Sequence, residues 1–466
     1  MSSKLQPGWL TTMLADGEPP PRIYAWSLAN IDHAVAVKHV EPISNGNNRE
    51  GYSIAASNDT ATDSDKRVYI LGPGNIGRLY ASYMTRHPDA LPITLVVHRK
   101  ELLSQWSTSD GIVLSYRDGN KILKSKRFNV EWWSETRPRH GPVREVADGE
   151  KLRNVFISTK ADAGLALADW LRRYLGRSSS VVFAQNGVSK LWPPYGPLYV
   201  ARRYPVDDAP HFSVCVVNHG VSSAGSFCSV HAAVANAFIG PINCASGPSL
   251  SHLEQMRQEK QSCGNFFTKY ISTTPFLDTK PVSSGELWLI QLEKLVMNAA
   301  INPLTTLLRC KTGQLFSSYD SQDPLTQVLD KLLLQTSAVI QALINHDTSL
   351  DIISSYAETV QRLLPDNENY YQNFDNLRRK LTVRFSQPIL KAKLYAFGLK
   401  ISEHRSSMLQ DTEAGRATEI QDFNGWIIEM AGFLGTNLDV SIHRGLIQLI
   451  EDCEVLNKEQ LASRLL

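Results

Sequence analysis

A doubly wound α/β domain followed by an all-helical domain is the architecture that this 466-residue sequence predicts. Three observations carry that expectation. Two short β-rich runs enclose a glycine turn and a helical pattern near residue 70. Further apolar runs alternate with helical periodicity as far as about residue 240. From about Gly285 onward, every periodic stretch repeats its apolar positions at three and four residues, the spacing of a helix face.

Residues 1–65 are expected to form a flexible N-terminal extension. They contain "GEPPPR" and "SNGNNREGYSIAASNDTATDSD", which offer too little apolar surface to offset the entropy of ordering. Within them, "RIYAWSLANIDHAVAVKHV" is apolar enough to pair or dock locally. Order begins at Lys66, where "RVYILG", "PGNIG" and "RLYASYMTRH" read as strand, turn and helix. "ITLVVHR" is then a second strand and "KELLSQWS" a second helix, completing a βαβ unit. "NVFIST" and "VVFAQN" add strands around a helical "ADAGLALADWLRRYL". "HFSVCVVNHG" and "SFCSVHAAVANAFIG" are expected to close the same sheet with antiparallel strands. This Rossmann-type α/β domain spans 66–282, and a helical domain spans 283–466. Its helices are expected at "ELWLIQLEKLVMNAAI", "PLTQVLDKLLLQTSAVIQALIN", "TSLDIISSYAETVQRLL", "EAGRATEIQDFNGWIIEMAGFL" and "LDVSIHRGLIQLIEDCE". Two surface insertions are expected, near 134–151 and 345–375.

Composition narrows the function classes. With 42% hydrophobic residues the chain can bury a sizeable core, and 48 basic against 46 acidic residues give no basis for nucleic acid or an anionic membrane as partner. A small anionic ligand needs only a local basic site. Six cysteines form no CxxC pair, so neither a zinc site nor a disulfide framework is expected, and no metal. No apolar run reaches the roughly 20 residues of a membrane span. The N-terminus lacks the apolar core of a secretory signal, and Asp16 and Glu18 are poorly suited to a mitochondrial presequence. A cytoplasmic protein is the reading, with a mitochondrial address and a homodimer left open.

"LGPGNIG" sets Gly72, Gly74 and Gly77 at GxGxxG spacing, after a strand and at the start of a helix. There Gly72 makes a tight turn, Gly74 admits a close pyrophosphate, and Gly77 lets helix pack on strand. Asn75 and Ile76 open the helix whose N-terminus favours negative charge. The second strand ends in "VVHRKE". Arg99 and Lys100 stand where an NAD site would place a carboxylate, and a guanidinium suits a ribose 2′-phosphate. The expected cofactor is NADPH. Glu101 begins the next helix.

"LEKLVMNAAINPLTTL" carries Lys294, Asn298 and Asn302 four residues apart, along one face of a helix. An ammonium can protonate a developing alkoxide, and amides can orient a substrate. Seen alone, such a line is equally a solvated stripe. Pro303 is expected to kink or end the helix and turn Asn302 toward a cleft.

At these residues the sequence resembles the ketopantoate reductase family. "KLVMNAAINPLTTL" stands in place of the family signature "KL..N..INPLT". "SSMLQDTEAGRATEIQDFNGWI" stands in place of "SSM.QD" followed by "TEI...NG". Glycine turn, "STK" and "QNG" occur in the same order, and the resemblance runs from about Lys66 to Glu451. It implies a helical domain like the C-terminal domain of 6-phosphogluconate dehydrogenase, and NADPH-dependent reduction of 2-dehydropantoate to (R)-pantoate. Lys294 would be the general acid and Glu419 the carboxylate that holds a substrate hydroxyl. Ser407 would bond the substrate carboxylate, unless it only caps a helix. Asn298 and Asn302 would line the cleft, and Asn186 would contact substrate and nicotinamide ribose. Arg99 and Lys160 would lie near the adenosine phosphate. His219, His231 and Asp411 read as structural. Departures from the family pattern leave two other readings, a reductase of another branched 2-oxo acid and a non-catalytic NADPH binder.

Overall fold

The computed structural model describes residues 6–31, 66–117, 119, 121–242, 266–361, 370–435 and 437–466. The chain opens with α1 (Gly8–Ala15) and β1 (Tyr24–Trp26), and the α/β domain proper begins at β2 (Val68–Leu71). There follow α2 (Asn75–Met84), β3 (Ile93–Val97), α3 (Glu101–Thr108), β4 (Ile112–Tyr116), β5 (Ile122–Ser125), β6 (Asn129–Ser134) and β7 (Asn154–Ile157). Next are α4 (Ala161–Trp170), β8 (Ser180–Phe183), α5 (Tyr195–Arg203), β9 (His211–Val217), β10 (Gly220–Ser223), β11 (Cys228–Ala233) and β12 (Ala237–Pro241). The domain ends with α6 (Phe266–Thr273) and β13 (Thr279–Pro281).

Its main sheet runs β1-β6-β3-β2-β7-β8-β9-β12-β13. The six strands from β6 to β9 are parallel, and β2, β3, β7 and β8 are buried along their whole length. That explains why these strands read as continuous apolar runs rather than alternating ones. Because β2 neighbours both β3 and β7, the strand order reverses there and opens a crevice at the carboxyl ends of β2 and β7. The expected antiparallel end holds for β9 with β12. "SFCSVHAAVANAFIG", however, divides between two sheets. Its β11 leaves the main sheet to pair with β10 and β4 in a four-stranded sheet, β10-β11-β4-β5. A single sequence cannot show this exchange, since both destinations ask for alternating β-formers.

Residues 6–31 depart from the expected flexible extension. β1 pairs antiparallel with β6, Tyr24 opposite Ser134. Leu10 and Ile23 are fully buried, each a burial of about 1.5–3 kcal/mol. Asn30 donates to the carbonyls of His140 (2.9 Å) and Pro142 (2.8 Å), so the N-terminal segment clasps the segment where an insertion was expected, 134–151. Residues 32–65 lie outside the described residues.

The helical domain contains α7 (Ser284–Leu307), α8 (Pro324–Asn345), α9 (Leu350–Gln361), α10 (Tyr370–Arg384) and α11 (Gln387–Lys400), so α9 and α10 occupy most of the insertion expected near 345–375. It continues with α12 (Ser407–Glu413), α13 (Trp426–Leu434), α14 (Ser441–Glu451) and α15 (Lys458–Leu465). α7 is buried on nearly every side, as its almost unbroken apolar sequence requires. Ser283 caps it, accepting from Glu286 N at 3.3 Å. α9 crosses close over Gly285, where a Cβ would stand 2.5 Å from Ile352 O. The helix expected from Glu413 begins only at Ile420, so Glu419 sits at a loop–helix junction. Among the described residues, no helix is long and apolar enough to cross a membrane, and no group of His, Cys, Asp and Glu is arranged to hold a metal.

Candidate active site

The crevice above β2 and β7 is shaped by its glycines. Gly72 has φ +72°, and a Cβ there would lie 2.6 Å from Thr159 Cγ2 on the β7 side. A Cβ on Gly77 would lie 2.6 Å from Ser158 Oγ, so this position is where α2 packs on the strands. Gly74 differs. A Cβ there would meet only Gly72 O at 3.8 Å, leaving open ground over the first N–H groups of α2, at Asn75 and Ile76. A dinucleotide's diphosphate fits that opening, with the helix N-terminus as its anion site. Arg99 and Lys100 are exposed just beyond β3, and Lys100 precedes α3, which begins at Glu101 as expected.

Arg78 is a residue of this end that sequence reasoning missed. Its buried guanidinium donates to Gly74 O (3.1 Å), Asn75 Oδ1 (2.9 Å), Gly225 O (2.8 Å) and Cys228 O (2.8 Å). It thereby fastens the glycine turn to the β10–β11 hairpin. An arginine inside an otherwise apolar helix start was the available signal.

The other end of the crevice is built by α7. Lys294 is half-buried, and its ammonium donates to Val217 O at the end of β9. Burial pushes its pKa down to about 8, with Cys215 and Glu419 pulling the other way. Asn298 is half-buried and Asn302 buried on the same helix. The helix does not end at Pro303 but runs on to Leu307, and the carbonyl that proline leaves without its helical donor, Ala299 O, accepts from Asn424 Nδ2 at 3.1 Å.

Asn186 follows β8 and donates to Glu419 Oε2 at 3.2 Å, while Ala161 N, at the start of α4, donates to Oε1 at 3.3 Å. Burial raises the Glu419 carboxyl, opposed by these two bonds and by Lys160. Gly187 has φ +80° and passes under Asp422, whose carbonyl would be 3.1 Å from a Cβ. Gln291 was also missed. It accepts from Trp192 Nε1 (2.5 Å) and donates to Gly187 O (3.1 Å), tying the Asn186 turn to α7. Its place one helical turn before Lys294 was the signal. A small cavity lies beside Asn186, lined by Leu165, Phe183, Val214, Lys190 and Asp422. The Asp422 carboxyl is pushed up to about 6 by burial.

Two residues stand differently from expectation. Ser407 is exposed at the first position of α12, and Ser406 is the cap, accepting from Leu409 N (3.2 Å) and Thr305 Oγ1 (2.7 Å). Lys160 turns toward the helical domain, pairing with Asp411 (2.9 Å) and donating to Ala417 O. Asp411 also holds Arg416 at 2.8 Å, so it links the domains rather than serving one of them.

His219 and His231 join a buried chain with a fixed direction. Ala235 N donates to His219 Nδ1 (3.1 Å), so the ring proton is on Nε2 and reaches Leu277 O (2.9 Å). His231 Nε2 then donates to His219 Nδ1 (3.1 Å), and Tyr83 donates to His231 Nδ1 (3.0 Å). Both rings are neutral, and burial lowers both pKa values, that of His231 to about 4.

A buried ammonium, a carboxyl and several amides therefore meet at a domain junction beside a dinucleotide-type crevice. That set can orient a carbonyl compound and protonate its oxygen as hydride arrives at carbon.

Comparison with known proteins agrees with this geometry. Models described as "Ketopantoate reductase PanE/ApbA" and "Ketopantoate reductase PanE/ApbA C terminal" match residues 68–243 and 286–454. The chain is 68% identical to a "Ketoisovalerate reductase" of Beauveria bassiana over 466 residues, covering 100% of both. It is 25% identical to the "2-dehydropantoate 2-reductase" of Saccharomyces cerevisiae, over 80% of this chain and 89% of that one. The fold resembles a PanE/ApbA family ketopantoate reductase from Ralstonia eutropha JMP134, with TM-score 0.52 and 16% identity over 85% of this chain and 99% of that one.

Proposed function

The chain belongs to the ketopantoate reductase family, and from that premise we propose that it is an NADPH-dependent reductase of ketoisovalerate, giving the 2-hydroxy acid. The observation that carries the substrate choice is the full-length similarity, at 68% identity, to a protein named for that activity. Ketoisovalerate is a branched 2-oxo acid that lacks the hydroxymethyl group of 2-dehydropantoate.

Gly72, Gly74, Asn75, Ile76 and Gly77 would hold the cofactor's diphosphate, and Arg99 its 2′-phosphate. When bound, NADPH supplies a hydride to the C2 carbonyl carbon. Lys294 gives its proton to the carbonyl oxygen, and its ammonium attracts the growing negative charge there. Asn298 and Asn302 line the approach to the carbonyl. Asn186, held by Glu419, fixes the opposite wall. Ser407, exposed at the start of α12, would bond the substrate carboxylate.

The test is loss of reduced-nicotinamide absorbance with purified protein, comparing ketoisovalerate, 2-dehydropantoate and straight-chain 2-oxo acids, each with NADPH and NADH. Highest kcat/KM with ketoisovalerate and NADPH is expected. A clear preference for 2-dehydropantoate returns the assignment to pantoate formation, and tight NADPH binding without turnover would show a non-catalytic binder.

A further inference from the structure

We infer that Asn424 is a positioning residue that stands in for the helix hydrogen bond lost at Pro303, and so fixes the spacing between the Lys294 and Glu419 sides of the cleft. A proline inside a helix removes one N–H and crowds the carbonyl four residues earlier, which strongly disfavours continuing the helix. α7 carries Pro303 between Asn302 and its last turn and still continues to Leu307. The carbonyl at issue, Ala299 O, lies between Asn298 and Asn302 on the residues that wall the cleft. Asn424 Nδ2 donates to it at 3.1 Å, wholly buried.

The orientation of that amide is dictated by its surroundings. Its other hydrogen points to His443 Nδ1 at 3.1 Å. His443 Nε2 donates to Thr336 Oγ1 (3.1 Å), because the Thr336 hydroxyl hydrogen is committed to Leu332 O (2.8 Å). His443 Nδ1 is therefore an acceptor, and Asn424 must present its nitrogen to both partners. A flipped amide would set oxygen against Ala299 O. The buried Oδ1 has no hydrogen-bond partner among the described residues, so the amide is placed for its donors alone.

Asn424 is five residues after Glu419, inside a wide π-type turn, Gln421–Gly425. Such a turn inserts one residue relative to an α-helix and is frequent at functional sites. Here Glu419 faces Asn186 while Asn424 faces α7, so one short segment grips both walls of the cleft. The two signature stretches, "KL..N..INPLT" and "TEI...NG", thus meet physically through one hydrogen bond.

This inference rests on Lys294 being the proton donor in 2-oxo acid reduction, and the test separates the two. Four proteins are compared: wild type, P303A, N424A and P303A/N424A. Each is assayed for kcat and KM with ketoisovalerate and NADPH, and for its thermal unfolding midpoint. P303A restores a backbone N–H to Ala299 O, so Asn424 should cease to matter for α7. N424A alone is expected to lower kcat by about tenfold or more while the KM for NADPH moves less than about twofold. P303A/N424A is expected to recover kcat to within about threefold of P303A, and to regain most of the lost midpoint. A double variant no better than N424A overturns the inference, as does wild-type kcat in N424A. Failure to fold in both backgrounds overturns it too, since the restored N–H should rescue the helix. A wild type that turns over no 2-oxo acid refutes the functional reading instead, and the recovery of the midpoint still decides the link between 303 and 424.

Discussion

The two ends of the crevice are built on opposite plans. At the cofactor end the fixing contacts among the described residues lie within the α/β domain. Arg78 pins Gly74 and Asn75, Ser229 Oγ donates to Asn75 Oδ1 at 3.1 Å, and Ser158 Oγ donates to Gly72 O at 2.9 Å. At the substrate end the contacts cross from the α/β domain to the helical domain. Asn186 and Glu419 are 233 positions apart, Lys160 and Asp411 are 251, and Gln291 and Gly187 are 104. The first end is preformed by one domain's own backbone. The second exists only when both domains are docked, so its geometry is a property of the junction.

That contrast can be broken most sharply at Lys294. Lys294→Ala removes the proton donor and should lower kcat by about 10³-fold, with NADPH affinity changed less than about threefold; full kcat in this variant would remove the assignment. With the lysine intact, an acid whose pKa is about 8 must be protonated to act. The kcat profile should therefore be level below that pH and fall about tenfold per unit above it. At the other end, Gly72→Ala places a Cβ against Thr159 at positive φ. Strain of about 1–3 kcal/mol predicts a KM for NADPH raised roughly 10- to 100-fold, with kcat at saturation changed less than about threefold. Equal effects on both substrates would contradict independent ends.

Asp411→Asn offers a smaller and more discriminating test. It loosens Lys160 and should raise the KM for the 2-oxo acid by about fivefold without moving that for NADPH. A shift confined to NADPH would return Lys160 to the cofactor. Least in size is an effect of acid on stability. His231 and His443 are buried and neutral, with pKa values lowered to about 4 and about 3. Unfolded histidines take up protons near pH 6.5, and the folded rings do not until well below that. Stability is thus complete above about pH 6.5 and declines as pH falls toward 4 and 3. The unfolding midpoint should drop by a few degrees between about pH 7 and 5, and no drop would mean that the rings titrate freely.

The same contrast governs what the sequence discloses. "LGPGNIG" could be read because its geometry is set by neighbouring residues: strand, positive-φ glycine and helix start are all local. Lys294 could be read because a periodic helix puts it in line with Asn298 and Asn302. Gln291 and Arg78 were legible only as polar residues in apolar surroundings, and Asn424 only as a signature residue without a role, since their partners are distant or are backbone atoms. The expectation of a helix end at Pro303 failed for the same reason. A local rule ends the helix there, and a side chain more than a hundred positions away overrules it. Lys160 was assigned to the nucleotide from its place in "STK", while its partner Asp411, although it stands in "SSM.QD", read as structural. The departure of β11 to a second sheet was equally invisible, since either sheet accepts its alternation.

β1 has a consequence beyond holding the first residues down. It lies at the margin of the main sheet, so the second half of β6, Trp132 to Ser134, has its outer row of amides and carbonyls covered. A chain beginning at the glycine turn would present that row to any passing strand, the usual seed of edge-to-edge aggregation. During synthesis the guard is made first, yet β6 ends at residue 134, so the chain must emerge that far before the sheet margin is sealed.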